Sequence, residues 1–360
     1  MTCFAYIGSF LLSLLLGMLI LPRILLISHK KRLFDLPDQR KIHSSPVPRL
    51  GGLAFLPTIL ITFCLTVGGS LAADSDFIAS STLGGFFLVC AGAMVLFLAG
   101  AVDDLIGLSY QSKFLFQTGA AVLLVFAGER FGNICGFMLP SWANAVLTVV
   151  VIVYIVNAVN LIDGVDGLAS GLSAISLAVL FTLFLTCHQP AYAILSLTVL
   201  GVIIPFWFYN VFGSEKRGHK LFMGDSGSLV LGYLLAFLTL HAARGTSDVV
   251  FTGNIAVMAY SPLIIPLFDV VRVVFRRLHT GHNPFKPDKN HFHHKLLRTG
   301  LDGRQVMALM LLIAALFVIL NYCLSKTIPT LWILFIDAVV WILMHLYFNW
   351  LIHSRQAKDK

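Results

Sequence analysis

Apolar runs broken by polar connections predict eleven membrane-crossing helices, at residues 4–27, 53–69, 83–102, 114–128, 142–159, 168–187, 192–208, 228–243, 255–275, 306–324 and 331–352. The runs approach the roughly 20 residues that cross a bilayer as a helix, and none alternates over about ten residues as a membrane β-strand would. The expected fold class is all-α, a polytopic membrane helical bundle built as one integral-membrane domain over residues 1–360. The connections after odd-numbered runs, together with the C-terminal tail, hold 22 of the 25 Lys and Arg; Arg130, Arg244 and Lys326 lie on the other side. Basic loops mark the cytoplasmic face, so the N-terminus is expected outside and the C-terminus in the cytoplasm. No small-residue cleavage pattern follows the first run, which is expected to remain as a span.

Composition agrees with the pattern: 58% hydrophobic and 12% charged residues, with mean hydropathy +0.88, exclude a soluble globular domain. The net charge of +8 then reads as a topology signal with attraction to anionic membrane lipids, not as nucleic-acid binding. Six cysteines show neither a C-x-x-C pair nor metal spacing, and most sit in apolar runs as small hydrophobes.

Nearly all the unusual polar residues fall in the cytoplasmic connections. Asp103 and Asp104 follow the third run, an Asn/Asp stretch follows the fifth, 224–228 (GDSGS) opens the eighth, and 291–294 (HFHH) follows the ninth. A transporter or flippase for an anionic or lipid-linked solute, the alternative reading, would place polar groups near the midplane on interrupted helices in two similar halves. No internal repeat is present, and polar groups crowding one face suit a reaction between a water-soluble donor and a lipid head group.

Residues 157–171 (NAVNLIDGVDGLASG) carry the densest signal. If they stay near-helical, Asn157, Asn160, Asp163 and Asp166 form one drifting stripe, able to present several oxygens to a cation. Simple helix capping accounts for one Asp of this set but hardly for all four. Asp103 and Asp104, being adjacent, point apart, so one faces a shared site while the other supports it or meets solvent. With Asp163, Asp166 and Asp225 they put five of the 17 acidic residues on one side, a thiol-free oxygen set suited to Mg²⁺ or Mn²⁺. Residues 222–228 join an acid to a helix start, which favours anions; Lys216, Arg217, His219 and Lys220 stand just upstream either as topology determinants or as phosphate binders. A helix beginning near Asn290 would align His291, His294, Lys295 and Arg298 on one anion-binding face, or lie as a basic helix on anionic lipid. Zinc is disfavoured there because no Cys or carboxylate completes a tetrahedral set. Asp269 is expected to pair with Arg272 and Arg276, and Asp337, deep in the last run, needs a buried partner.

These motifs together, 35–43 (DLPDQRKIH), 48–52 (PRLGG), Asp103-Asp104, 157–168, 222–228 and the His cluster, resemble in order and spacing the polyprenyl-phosphate N-acetylhexosamine-1-phosphate transferases over residues 35–304. The resemblance implies transfer of a sugar 1-phosphate from a UDP-linked N-acetylhexosamine to a polyprenyl phosphate, with UMP released and Mg²⁺ required. It implies Asp225 and Asn160 as metal ligands, Asp103 as the residue handling the acceptor phosphate with Asp104 beside it, and Asp163 and Asp166 as active-site residues. Asn157, His291, His293, His294 and Arg298 would bind substrate. Ser45 before the 46–52 segment, Gly107 after the Asp pair and Phe292 within the His cluster depart from the peptidoglycan-initiating branch. They favour the branch that uses UDP-N-acetylglucosamine or a related sugar to start cell-surface glycans such as lipopolysaccharide O-antigen. The expected place is the inner membrane, with the site on the cytoplasmic face; a homodimer is compatible with this reading.

Overall fold

In the computed structural model, residues 2–34, 46–131, 139–244, 254–281 and 290–358 are described. The 35–43 motif, Ser45 and residues 282–289 lie outside them. Among the described residues thirteen α-helices follow one another: α1 (Thr2–Lys31), α2 (Phe55–Ala73), α3 (Ser80–Ile106), α4 (Tyr110–Phe126), α5 (Ser141–Ile162), α6 (Leu168–Thr186), α7 (Pro190–Val211), α8 (Asp225–Ala243), α9 (Ile255–Tyr260), α10 (Ile264–His279), α11 (Phe292–Leu297), α12 (Gly303–Leu324) and α13 (Thr330–Lys358). A 3₁₀ turn at Ser261–Leu263 joins α9 to α10, so the expected ninth run is a broken helix with Pro262 and Pro266 at the break.

Ten helical stretches among the described residues are long and apolar enough to cross a membrane. The remaining expected run, the fourth at 114–128, is α4, whose 17 residues reach about 26 Å, short of a hydrocarbon core of about 30 Å.

At the centre stands α8, buried along nearly its whole length and packed by α3, α5 and α6. Glycines permit this: a Cβ on Gly232 would lie 2.9 Å from the Val156 Cα, and one on Gly100 2.5 Å from the Ser226 Cα. On the flank, α1 meets α7 through Ser9, Ser13 and Gly17, small residues one turn apart that let helices approach where lipid offers no hydrophobic drive. Ser13 Oγ donates to the Thr198 carbonyl at 2.6 Å, in place of an unsatisfied hydroxyl in hydrocarbon.

Asp337 finds the partners that sequence could not name. The Tyr260 hydroxyl and the Asn321 amide donate to its Oδ2 at 3.2 and 3.1 Å, and the same amide donates to Ser261 Oγ at 2.9 Å. This buried cluster ties α13 to α12 and to the broken helix.

Candidate active site

The site forms where the C-terminal ends of α3, α5 and α7 meet the start of α8. Two segments set its floor, 48–52, which enters a 3₁₀ turn at Gly51, and 221–224: Gly51 and Gly52 donate to the Phe222 and Met223 carbonyls at 2.9 and 2.7 Å, while Phe222 N donates to the Pro48 carbonyl at 2.8 Å. A Cβ on Gly52 would fall 2.1 Å from Gly227 N, and Gly224 has φ +74°, so both positions require glycine. Arg49 closes the C-terminal end of α3, its Nε and Nη2 donating to the Asp104 carbonyl at 3.0 and 2.8 Å.

Asp103 and Asp104 do diverge. Asp104 accepts from the backbone N–H groups of Asp225 and Ser226 at 2.8 and 3.0 Å, so a side chain from α3 caps α8. Asp103 accepts from Leu108 N at 2.6 Å across the Gly107 turn, where φ is +79°. That turn brings back α4, whose Lys113 ammonium bridges Asp103 and Asp225 at 2.8 and 2.5 Å. Sequence reasoning treated Lys113 only as a topology charge, because nothing local links it to Asp225.

α5 stops at Ile162, so the expected stripe breaks. Asn157, one turn earlier, donates to Gln117 Oε1 at 2.6 Å and to the Val153 carbonyl, beneath α4 and away from the cavity. Asn160 donates to Asp225 Oδ1 at 3.0 Å and Ser228 Oγ at 2.8 Å. The 163–167 turn is held by Asn210, which accepts from Gly167 N at 2.5 Å and donates to the Leu221 carbonyl at 2.9 Å. Asp166 meets Lys220 at 2.7 Å, and Lys220 is shared with Glu215 at 3.0 Å.

The result is a cavity of about 380 Å³ lined by Asp104, Asn160, Asp163, Asp166, Asp225 and His294, with Arg49 and Lys220 also on its wall. Burial, then the nearby Asp225, Asp166 and Asp104 carboxylates, push the Asp163 carboxyl up to about 7. Burial opposes charge on Lys220, but Asp166 and Glu215 outweigh it and its affinity for the proton rises.

The His cluster differs from the expected single face. α11 has only six residues and starts after His291, which is its N-cap in extended backbone, so the helical phase does not include His291. His291 Nδ1 instead pairs with the buried Asp269 at 2.8 Å, whose Oδ1 also accepts from Phe292 N at 3.0 Å and Arg272 Nη2 at 2.7 Å. Lys295 reaches His345 on α13, and Arg298 is exposed outside the cavity wall. The expected Asp269–Arg272 pair is present, and its larger task is to seat this segment. His293 is buried against Gly164, where a Cβ would lie 2.5 Å from its Nε2. Burial first, with His294 adding to it, lowers its pKa to about 3, so the ring is neutral. Only His294 of the cluster lines the cavity. Asp269→Ala should strand His291, Arg272 and a buried N–H, costing about 3 kcal/mol; thermal unfolding and proteolysis near α11 check this, with an unchanged midpoint contradicting it.

Among the described residues, no three His, Cys, Asp or Glu side chains close around a metal point. Asp225 with Asn160, both on the cavity wall, offers a partial set of oxygen donors of the kind Mg²⁺ would complete with water and substrate phosphates.

The sequence profile of Glycosyl transferase family 4 matches residues 86–243, which run from α3 through α8. The chain is 30% identical over 296 residues to the undecaprenyl-phosphate alpha-N-acetylglucosaminyl 1-phosphate transferase of Escherichia coli (strain K12), spanning 81% of this chain and 76% of that protein. It is 34% identical over 347 residues to the probable undecaprenyl-phosphate N-acetylglucosaminyl 1-phosphate transferase of Bacillus subtilis (strain 168), spanning 94% and 90%. The undecaprenyl-phosphate alpha-N-acetylglucosaminyl 1-phosphate transferase of Salmonella typhi is 31% identical over 291 residues, spanning 79% and 74%. Joined to an all-helical apolar bundle and a carboxylate-lined cavity at the helix ends, these likenesses make the chain a member of glycosyl transferase family 4.

Proposed function

We propose that the protein transfers N-acetylglucosamine 1-phosphate from UDP-N-acetylglucosamine to undecaprenyl phosphate, releasing UMP, at the cytoplasmic face of the inner membrane, as the first step of a cell-surface glycan. The observation that carries this reading is the cavity itself, where Asn160, Asp163, Asp166, Asp225, Lys220 and His294 converge from separate parts of the chain. The descriptions of the relatives agree with it.

In the reaction, an oxygen of the lipid phosphate attacks the phosphorus next to the sugar. The new P–O bond forms as the bond from that phosphorus to the bridging oxygen breaks, and UMP leaves with the electron pair. The chain must hold two anionic partners in line and offset their charge. Lys220, on the cavity wall, spends two ammonium contacts on Asp166 and Glu215, and a third N–H remains for a phosphate oxygen, while Lys113, behind that wall, holds Asp103 and Asp225 together. Mg²⁺ at Asp225 and Asn160 would supply further positive charge to the transferring phosphate. A lipid monophosphate, with a second pKa near 6, is already mostly ionised at neutral pH. Asp103 therefore need not remove a proton, and its contact with Lys113 makes it the residue that aims this ammonium. His294 faces the donor, so His294→Ala should raise KM for the UDP-sugar about tenfold with a smaller change in kcat; unchanged kinetics would reject that role.

The test of the whole reading is incubation of purified protein with radiolabelled UDP-N-acetylglucosamine, undecaprenyl phosphate and Mg²⁺. Label in the lipid phase with equimolar UMP supports it. Solute flux across vesicles without that product overturns it in favour of a transporter.

A further inference from the structure

α1 and α7 run parallel, with Ser13 on Thr198 and Gly17 against Val202 and Pro205. Near their C-terminal ends they frame a groove of about 710 Å³ that is separate from the carboxylate-lined cavity. Its walls are apolar, from Leu25, Leu26, Phe208 and Phe212, and its polar end is made by His29, Arg217 and His219. Phe208 and Phe212 are 55% and 56% exposed, unusual for aromatic side chains unless lipid covers them. From Pro22 to His29 the groove rises about 10 Å along α1, roughly the depth of the head-group and upper acyl region.

The groove and the catalytic cavity lie on different sides of α7. Phe208, Tyr209 and Phe212 face the groove, whereas Asn210 faces the cavity. The 213–220 turn joins them: Arg217 and His219 line the groove, Glu215 and Lys220 the cavity. His29 Nε2 donates to the Gly218 carbonyl at 2.8 Å and pins this turn to α1. Exposed Lys30, Lys31, Arg32 and Lys216 extend the positive face. Among the described residues, no acidic side chain lines the groove or forms a salt bridge with Arg217 or His219.

We propose that this groove holds an anionic phospholipid of the surrounding leaflet, its phosphate on Arg217 and His219 and an acyl chain along Leu25, Leu26, Phe208 and Phe212. A zwitterionic lipid would gain the same apolar contact but bring its own cation to a basic mouth. The acceptor lipid is a poorer occupant, because α7 stands between the groove and the carboxylates. Occupancy would steady the turn that carries Lys220.

The experiment is native mass spectrometry of the full-length protein in detergent, titrated with phosphatidylglycerol and with phosphatidylcholine of the same acyl chains. Phosphatidylglycerol should be held about fivefold more tightly, the worth of about one basic group at a membrane surface. Arg217→Ala should erase the preference, and Leu26→Trp, which fills the groove, should weaken both lipids. Arg130→Ala, which removes a charge at the opposite end of the bundle, should change neither. Equal retention of the two lipids, an unaltered preference in Arg217→Ala, or displacement of phosphatidylglycerol by an equal amount of undecaprenyl phosphate would overturn the proposal. None of these readouts needs turnover, so they are independent of the transferase reading.

Discussion

Asp225→Asn should reduce transfer by about a thousandfold, some 4 kcal/mol of transition-state stabilisation, while leaving the protein folded. Asp225 sits at the first position of α8, accepts from Asn160 at 3.0 Å and meets Lys113 at 2.5 Å, with 22% of its side chain exposed to the cavity. Asparagine keeps the volume and can still accept from Asn160, and Lys113 keeps Asp103. Removing the charge also takes away one of the carboxylates that, after burial, raise the Asp163 pKa. Stability should therefore change little, and the loss should fall on whatever positive charge the carboxylate recruits. Two measurements separate these: the radiolabel assay, and the thermal midpoint with and without Mg²⁺. The unaltered protein should be stabilised by Mg²⁺ and the variant should not, since only a ligand that binds the native state raises the midpoint. A folded variant with near-normal turnover would remove Asp225 from the metal role.

Asp104→Ala should behave in the opposite way. Its carboxylate accepts from Asp225 N and Ser226 N at 2.8 and 3.0 Å, and alanine leaves both donors buried at the start of the central helix. Losing the cap and leaving two buried N–H groups unsatisfied should lower stability by about 2 to 4 kcal/mol. Turnover should fall with it, because the start of α8 positions Asp225. The close approach of Gly100 to the Ser226 Cα leaves little room for the helix start to resettle. Asp104→Asn, with one oxygen for two donors, should lie between alanine and the parent. The checks are the thermal midpoint and the activity of each variant at a temperature where it remains folded. Full activity with an unchanged midpoint in Asp104→Ala would show that the cap does not matter.

The contrast between neighbouring aspartates was only partly visible in the chain. Adjacency on a helix implied that Asp103 and Asp104 point apart, and they do, but which one supports and which one serves the cavity depends on α8 arriving from more than a hundred residues away. The same limit applies to Asn157. Its spacing from Asn160 placed it on the stripe, yet Gln117 of α4 pairs with it outside the cavity. In the His cluster, the helix start shifted by a residue or two and sent His291 to Asp269.

What the sequence determined by itself was the all-helical membrane architecture, the gathering of polar groups at the helix ends and the family motifs, with Asp225, Asn160, Asp163, Asp166 and His294 among the candidates that reach the cavity. Those are local properties: runs of apolar side chains must be helical in lipid, and clustered charges cannot remain among hydrocarbon tails. What the tertiary structure alone decided was the pairing: Lys113 between Asp103 and Asp225, Asp104 as the cap of α8, Asp269 beneath His291, and Arg217 and His219 around the groove of α1 and α7. Each depends on how closely helices distant in sequence can pack, set by small residues such as Gly17, Gly52 and Gly100, and no property of a single segment carries that distance.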